Sequence, residues 1–243
     1  MGLLRGIIQM TGSFGGLSFY QTRNGAIRVR TTGGFKGEHI KTKPNYQRTR
    51  ENALEFKHVV AVGTFLRMTL HTYLRPMRIP YGHNSIVQLF HRIKILDTVN
   101  RRGARRVAQG LQTEEGRALL DGFEFDPRHA VEDYFRVGYT FYPEVGQLVL
   151  AGFDSKQVRF PQGASRVEVR FILFRMDFEL AEASALSYSS LFFERNETIP
   201  PTTLSVSLPE GSGMLVGLIG IGYYQEISGK DYPLQERGLR MIL

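Results

Sequence analysis

Residues 15–56 read GGLSFYQTRNGAIRVRTTGGFKGEHIKTKPNYQRTRENALEF, and the parsing of this stretch decides how the chain divides. Asn24-Gly25 lies between two extended segments, LSFYQTR and AIRVRTT. An Asn-Gly pair in that setting predicts a β-hairpin, because a type I′ turn needs positive φ at both central residues. A two-residue loop then pairs Arg23 with Ala26, Thr22 with Ile27, Gln21 with Arg28, Tyr20 with Val29 and Phe19 with Arg30. One face would carry Tyr20, Ile27 and Val29, and the other Phe19, Gln21, Arg28 and Arg30. A lone hairpin is marginal in water, so it must pack on its own body or extend as an arm to a neighbouring subunit. Gly15-Gly16 and Gly33-Gly34 flank it as candidate hinges.

Outward from the hairpin, Lys43-Pro44 opens a predicted helix over Tyr46–Leu74, with proline in the first turn where its missing N–H costs nothing. Leu54, Phe56, Val59, Val60, Val62, Phe65, Leu66, Met68, Leu70, Tyr73 and Leu74 form its broad apolar face. Pro76 is expected to end it. A second helix, capped by Asn84 or Ser85, carries Ile86, Leu89, Phe90, Ile93, Leu96 and Val99 at helical spacing. The two form an antiparallel pair. Arg101, Arg102, Arg105 and Arg106 follow; a helix dipole accounts for one or two of these cations but not for four.

After Gly110 there is room for a short helix at most, and from about Val131 the apolar period changes to two. Expected strands are Tyr134–Phe141, Gln147–Gly152, Val158–Phe160, Ser165–Glu179, Leu186–Glu194, Thr202–Ser207, Met214–Ile227 and Leu239–Leu243. Proline and glycine punctuate them at Pro143, Pro161, Pro200-Pro201, Pro209 and Gly229. The expected fold is α+β: an N-terminal hairpin arm (1–43), a helical hairpin (44–110) and an antiparallel β-sandwich (111–243).

With 243 residues, 42% hydrophobic and 22% charged, the composition is that of a globular protein with room for a substantial core. The absence of cysteine rules out disulfides and thiolate metal sites, as a reducing compartment would allow. The N-terminus lacks a signal-peptide pattern and a myristoylation pattern, Gly6 standing where Ser or Thr is needed. The most apolar run, Met214–Ile221, is too short to span a bilayer. The expectation is a soluble protein, cytoplasmic when synthesised, without membrane insertion. Its net charge of +8 is unevenly spread: residues 1–110 hold 19 Lys/Arg and 4 Asp/Glu, residues 111–243 hold 12 and 19. A basic half of that kind suits an acidic partner.

The blocks G-x-x-G-G-L-x-F-Y and N-G-x-x-x-R, then Gln47-Arg48-Thr49-Arg50-Glu51-Asn52, and finally Tyr223-Tyr224-Gln225-Glu226 with Tyr232-Pro233-Leu234, run nearly the whole length. In these blocks the chain resembles an uncharacterised Bacteroidota-type protein family. The resemblance implies a bacterial source and one continuous architecture; it brings no activity and no site residues.

Chemical motifs are missing. The six histidines include no H-E-x-x-H, so no zinc site is expected. Gly211-Ser212-Gly213 lacks a nucleophile-elbow context, and the glycines of Gly217–Gly222 sit in a strand pattern rather than a βαβ unit. Glu114-Glu115, Glu124/Asp126 and Glu132-Asp133 read as solvated carboxylates. No cofactor and no catalytic residue is expected. The remaining candidates are partner-binding residues: Phe19, Tyr20, Arg28, Arg30, Lys41, Lys43, Arg48, Arg50, Arg101, Arg102, Arg105 and Arg106, with Phe35 and Tyr46 as further stacking aromatics. They favour a non-enzymatic structural protein that self-assembles into a ring, tube or filament, its basic N-terminal half meeting an acidic β-domain, as in a phage-like or injection-machine particle. The alternative is a nucleic-acid-binding module using the same arginines.

Overall fold

The computed structural model describes residues 2–4, 10–32, 37–79 and 82–243. Gly6, the expected hinge Gly33-Gly34, the aromatic Phe35 and Pro80-Tyr81 of the inter-helix loop lie outside the described residues. The chain is α+β and divides into two compact units, Met1–Arg50 and Glu51–Leu243.

The first unit holds strands β1 (Gly2–Leu4), β2 (Gly12–Phe14), β3 (Leu17–Gln21) and β4 (Ile27–Thr31) in an antiparallel sheet of order β1-β4-β3-β2. Helix α1 (Gly37–Thr42) and a 3-10 turn (Pro44–Tyr46) follow. The hairpin forms, but its loop is not the expected two residues. Gly25 N donates to Thr22 O at 2.9 Å, Thr22 N to Ala26 O at 2.8 Å, and Gly25 takes φ +77°. This is a three-residue loop, Arg23-Asn24-Gly25, with glycine alone in the left-handed position. Gln21 therefore pairs with Ile27, Tyr20 with Arg28 and Phe19 with Val29. A one-residue slip turns every side chain of one strand over. The faces become Tyr20 with Arg28 and Arg30, and Phe19 with Ile27 and Val29, correcting the expected grouping.

The second unit contains most of helix α2 (Gln47–Thr69), then α3 (His71–Met77), α4 (Gly82–Ile95), α5 (Val107–Gly110), α6 (Glu114–Leu120) and α7 (Val131–Tyr134). The expected helix over Tyr46–Leu74 is broken at Leu70, and Pro76 lies inside α3, which stops at Arg78 in the left-handed region (φ 48°). Helix α4 starts before Asn84 and ends before Leu96; Val99 is 79% exposed rather than part of an apolar stripe. The buried stripe of α2 runs through Glu55, Val59, Val62, Gly63 and Leu66, leaving Leu54, Phe56 and Met68 exposed.

The strands are β5 (Tyr139–Tyr142), β6 (Gln147–Leu150), β7 (Phe153–Asp154), β8 (Arg166–Asp177), β9 (Glu182–Ala183), β10 (Ser187–Glu194), β11 (Thr198–Ile199), β12 (Thr202–Ser205), β13 (Met214–Ile227) and β14 (Lys230–Ile242). The strand expected over Tyr134–Phe141 is instead the end of α7 followed by β5. Val158–Phe160 makes only an isolated bridge, Phe135 to Val158. The terminal strand is far longer than Leu239–Leu243, because Gly229 closes a tight hairpin between β13 and β14.

The central sheet has the order β10-β8-β13-β14, all antiparallel, with β9 also on β8. Its two faces are both buried, which is why β13 reads as a nearly continuous apolar run and β8 carries the unbroken apolar stretch Phe171–Phe174 at its centre. Ile172, Phe174, Met176, Val216 and Leu218 pack against α2 and α4 through Val59, Leu66, Phe90 and Ile93. Phe171, Leu173, Ile219 and Ile221 pack on the other side against Leu148, Leu150 and Leu204 of a second sheet, order β12-β6-β5. The helical pair and the β-rich region, expected as separate domains at 44–110 and 111–243, thus share one apolar core. Gly110 is fixed by proximity: a Cβ there would lie 2.0 Å from Ile93 O, where α5 crosses α4.

Candidate interaction surface

The loop after α4 carries four of the candidate arginines. Asp97 organises it: Oδ1 accepts from Val99 N and Asn100 N, both at 2.9 Å, and Oδ2 from Asn100 Nδ2 and Arg106 N, both at 2.8 Å. Burial alone would raise the pKa of this carboxyl, but these bonds hold it below the usual carboxylate range. Across from it, Glu55 of α2 is 2% exposed and receives Lys94 Nζ at 2.5 Å, Gly103 N at 2.8 Å and Arg105 Nε at 2.9 Å. Burial again pushes upward, yet the three donors outweigh it and bring Glu55 down to about 2. Arg102 bonds Asn52 at 2.9 Å and pairs with Glu51 at 3.5 Å, while Arg106 pairs with Glu179 at 3.4 Å. Burial and the nearby Arg106 keep His58 less basic than usual, and its Nε2 accepts from Val107 N at 3.1 Å. Arg102, Arg105 and Arg106 are therefore engaged within the chain, and Arg101 is exposed. The excess of arginine over what a helix dipole needs is explained by Glu51, Glu55 and Glu179.

The other candidates belong to the first unit. Arg28 and Arg30 of β4 project from the same face as Tyr20 of β3, and the Arg30 guanidinium lies 5.7 Å from the Tyr20 ring centre. Both arginines are exposed, as are Lys41, Lys43 and Arg48. Arg50 is used locally: its Nη1 donates to Ile40 O at 2.6 Å and Lys43 O at 3.0 Å, closing the end of α1. Phe19 lies on the opposite face with Val29, Leu17 and Phe14, as the registers Phe14–Leu17 and Phe19–Val29 require. Phe14 is 77% exposed. The sheet thus has one basic side and one apolar side, and Phe19 and Tyr20 are divided between them. The unit as a whole holds nine Lys/Arg and one Asp/Glu, so the entire net charge of +8 resides in it.

Two polar clusters escaped sequence reasoning. Glu168 of β8, buried on the helix side of the central sheet, receives Arg170 Nε at 2.7 Å, Tyr224 OH at 2.7 Å and Tyr188 OH. Burial and the adjoining Glu168 push Tyr224 up to about 12. The i, i+2 spacing of Glu168 and Arg170 was the available signal, since it places both on one side of a strand. The second cluster joins Glu124 to β14: Glu124 Oε1 accepts from Val131 N at 3.1 Å and lies 3.9 Å from Arg240 Nε, while Arg240 also pairs with Glu132. Glu124 Oε2 is buried without a partner. Burial raises this carboxyl to about 7, against the pull of Val131 N–H and Arg240 and with a push from Glu132 and Asp133. The sequence predicts a solvated carboxylate at Glu124; the backbone bridge from Glu124 to Arg240 draws it out of solvent instead.

Among the described residues no group of three or more His, Asp or Glu is placed to hold a metal ion, and no helix is long and apolar enough to cross a membrane. Compared with known proteins, the chain matches no family model, no curated protein and no solved structure.

Proposed function

We propose that this chain is a non-enzymatic structural subunit that self-assembles, its basic N-terminal unit docking on the acidic β-rich surface of another copy. The observation that carries the reading is the two-sided sheet β1–β4. Its apolar side presents Phe14 and Leu17 to solvent, and its other side presents Arg28 and Arg30. A sheet of that kind gains little from water exclusion until a partner covers it. Residues 111–243, with seven more acids than bases, supply charge of the opposite sign. Contacts between two different surfaces of identical copies are heterologous, and they close into rings or continue as tubes and filaments, the geometry of a phage-like or injection-machine particle. Light scattering after size exclusion tests this: oligomers at low salt that dissociate at high salt support it, and a concentrated monomer at every salt defeats it.

A second reading, nucleic-acid binding, is favoured by Arg28, Arg30 and Tyr20 sharing one face, since cations and a ring together suit phosphates and bases. Filter binding against salt separates the two. Duplex binding through these residues gives a log–log slope of about −0.9 per phosphate contact, and no binding at low salt eliminates it.

A further inference from the structure

Long open strand edges invite pairing with another chain, and folded proteins blunt them with Lys, Pro, bulges or covering segments. The edges of this molecule differ sharply in that respect. Strand β14 contains Lys230 and Pro233, has register shifts against β13, and is covered along its second half by residues 122–125 through Gly122 N to Met241 O, Met241 N to Phe123 O and Phe125 N to Leu239 O. Strands β5 and β12 are four residues long and border Pro143 and Pro200-Pro201. Strand β10, at the opposite end of the central sheet, carries no Lys, Pro or bulge; its two ends are touched by following chain, Ser187 Oγ lying 3.3 Å from Ser207 Oγ and Glu194 N donating to Glu197 Oε2 at 2.8 Å. Its eight residues, SYSSLFFE, pair with β8 in unbroken register and include no Lys, Arg or Pro. Beyond β8, no backbone–backbone hydrogen bond to its outer edge occurs among the described residues. Two aromatics, Tyr188 (47% exposed) and Phe192 (38% exposed), stand on one face of it.

We propose that β10 is a two-fold interface, pairing antiparallel with β10 of a second copy so that the central sheet runs through both. The register follows from the pleat. Residues directly opposite each other project to the same face, so the symmetric pairing must centre on a residue. Centred on Ser190, it sets Tyr188 against Phe192 of the second copy twice, Ser189 against Leu191, and Glu194 against Leu186. Aromatic cross-strand pairs of this kind stabilise sheets, and no two like charges face each other in this register. The strand is held ready for it: Tyr188 is tied to Glu168 and stacks on Tyr73 with ring centres 6.4 Å apart, and Arg166 lies over the Phe192 ring at 5.4 Å.

This inference shares with the preceding reading only the premise that copies associate, and it uses a different surface. The two fail separately. Pairing through β10 rests on backbone bonds and aromatic contact, so the dimer persists at about 1 M salt, where the Debye length is about 3 Å, and survives Arg28→Glu with Arg30→Glu. Docking of the N-terminal unit is lost under both conditions and survives changes in β10. Ser190→Lys and Ser190→Glu each put like charges across the two-fold axis, and each is expected to be monomeric at high salt. Mixing the two restores a dimer, which also shows that both variants are folded. Because the chain has no cysteine, Ser190→Cys gives a disulfide-linked dimer on mild oxidation, whereas Thr203→Cys on β12 does not. A wild-type monomer at high salt, a charge-swapped mixture that stays monomeric, or equal cross-linking at positions 190 and 203 would each overturn the proposal.

Discussion

The two units of this chain are built on opposite terms. Among the residues of the first whose side chains are described, Ile27 is the one buried apolar side chain, whereas the second holds two apolar layers on either side of a central sheet. The first carries a net charge of +8; the second has 22 bases and 22 acids and carries none. The difference teaches where each unit's order comes from. The second unit is organised by water exclusion and spends its charges on internal pairs such as Glu55 with Lys94 and Arg105. The first has backbone pairing and local capping, with Phe14, Arg28 and Arg30 among its exposed side chains.

Substitutions test the contrast, and the largest effect belongs to the second unit. Phe171→Ala, at a fully buried position of β8, is expected to destabilise by about 3–5 kcal/mol in chemical denaturation. A cost below about 1 kcal/mol would mean the central sheet is not the core. Glu55→Gln leaves Lys94 buried without its counter-ion and is expected to cost about 3 kcal/mol near neutral pH. Because the folded carboxyl titrates at about 2 against an ordinary 4.5, its contribution is present above pH 4.5 and disappears as pH falls from 4.5 towards 2. Acid titration of wild type and variant should therefore converge at the low end.

Glu124→Gln has the opposite sign. A carboxyl raised from 4.5 to about 7 favours the fold below pH 4.5, and that contribution is lost as pH rises through 7. The variant is expected to be more stable than wild type by about 1–2 kcal/mol at pH 8 and indistinguishable at pH 4, as thermal melts would show. Smallest of all for stability are Phe14→Ala and the Arg28→Glu, Arg30→Glu pair. Each should stay within about 0.5 kcal/mol of wild type while weakening association. A large loss of stability from Phe14→Ala would show that this face is already covered, and the contrast between the units would collapse.

Much of the architecture was legible because burial writes itself as pattern. Met214–Ile227 was bounded correctly, since a strand covered on both faces is an unbroken apolar run between turn residues. The hairpin at Asn24-Gly25 was legible but its register was not. Asn-Gly serves two-residue and three-residue loops alike, and neither strand alternates cleanly enough to show which face is inside. The first half of β14 was hidden because Lys230-Asp231 and Pro233 read as a loop; only pairing with β13 makes it a strand. The arginines of 101–106 were visible as charges, but their acceptors, Glu51 and Glu55, lie some fifty residues away in sequence. Separation of that kind leaves no periodic trace.

The Glu55 clasp also bears on how such sequences drift. A carboxylate that satisfies a lysine, an arginine and a glycine amide at once ties three segments to a single mutable codon. Loss of any one participant leaves the others costly, so position 55 and positions 94, 103 and 105 should be replaced in concert or kept together. Any pair of homologues that exchanged one of the four while holding the rest would mark a lineage in which this corner of the molecule had been rebuilt.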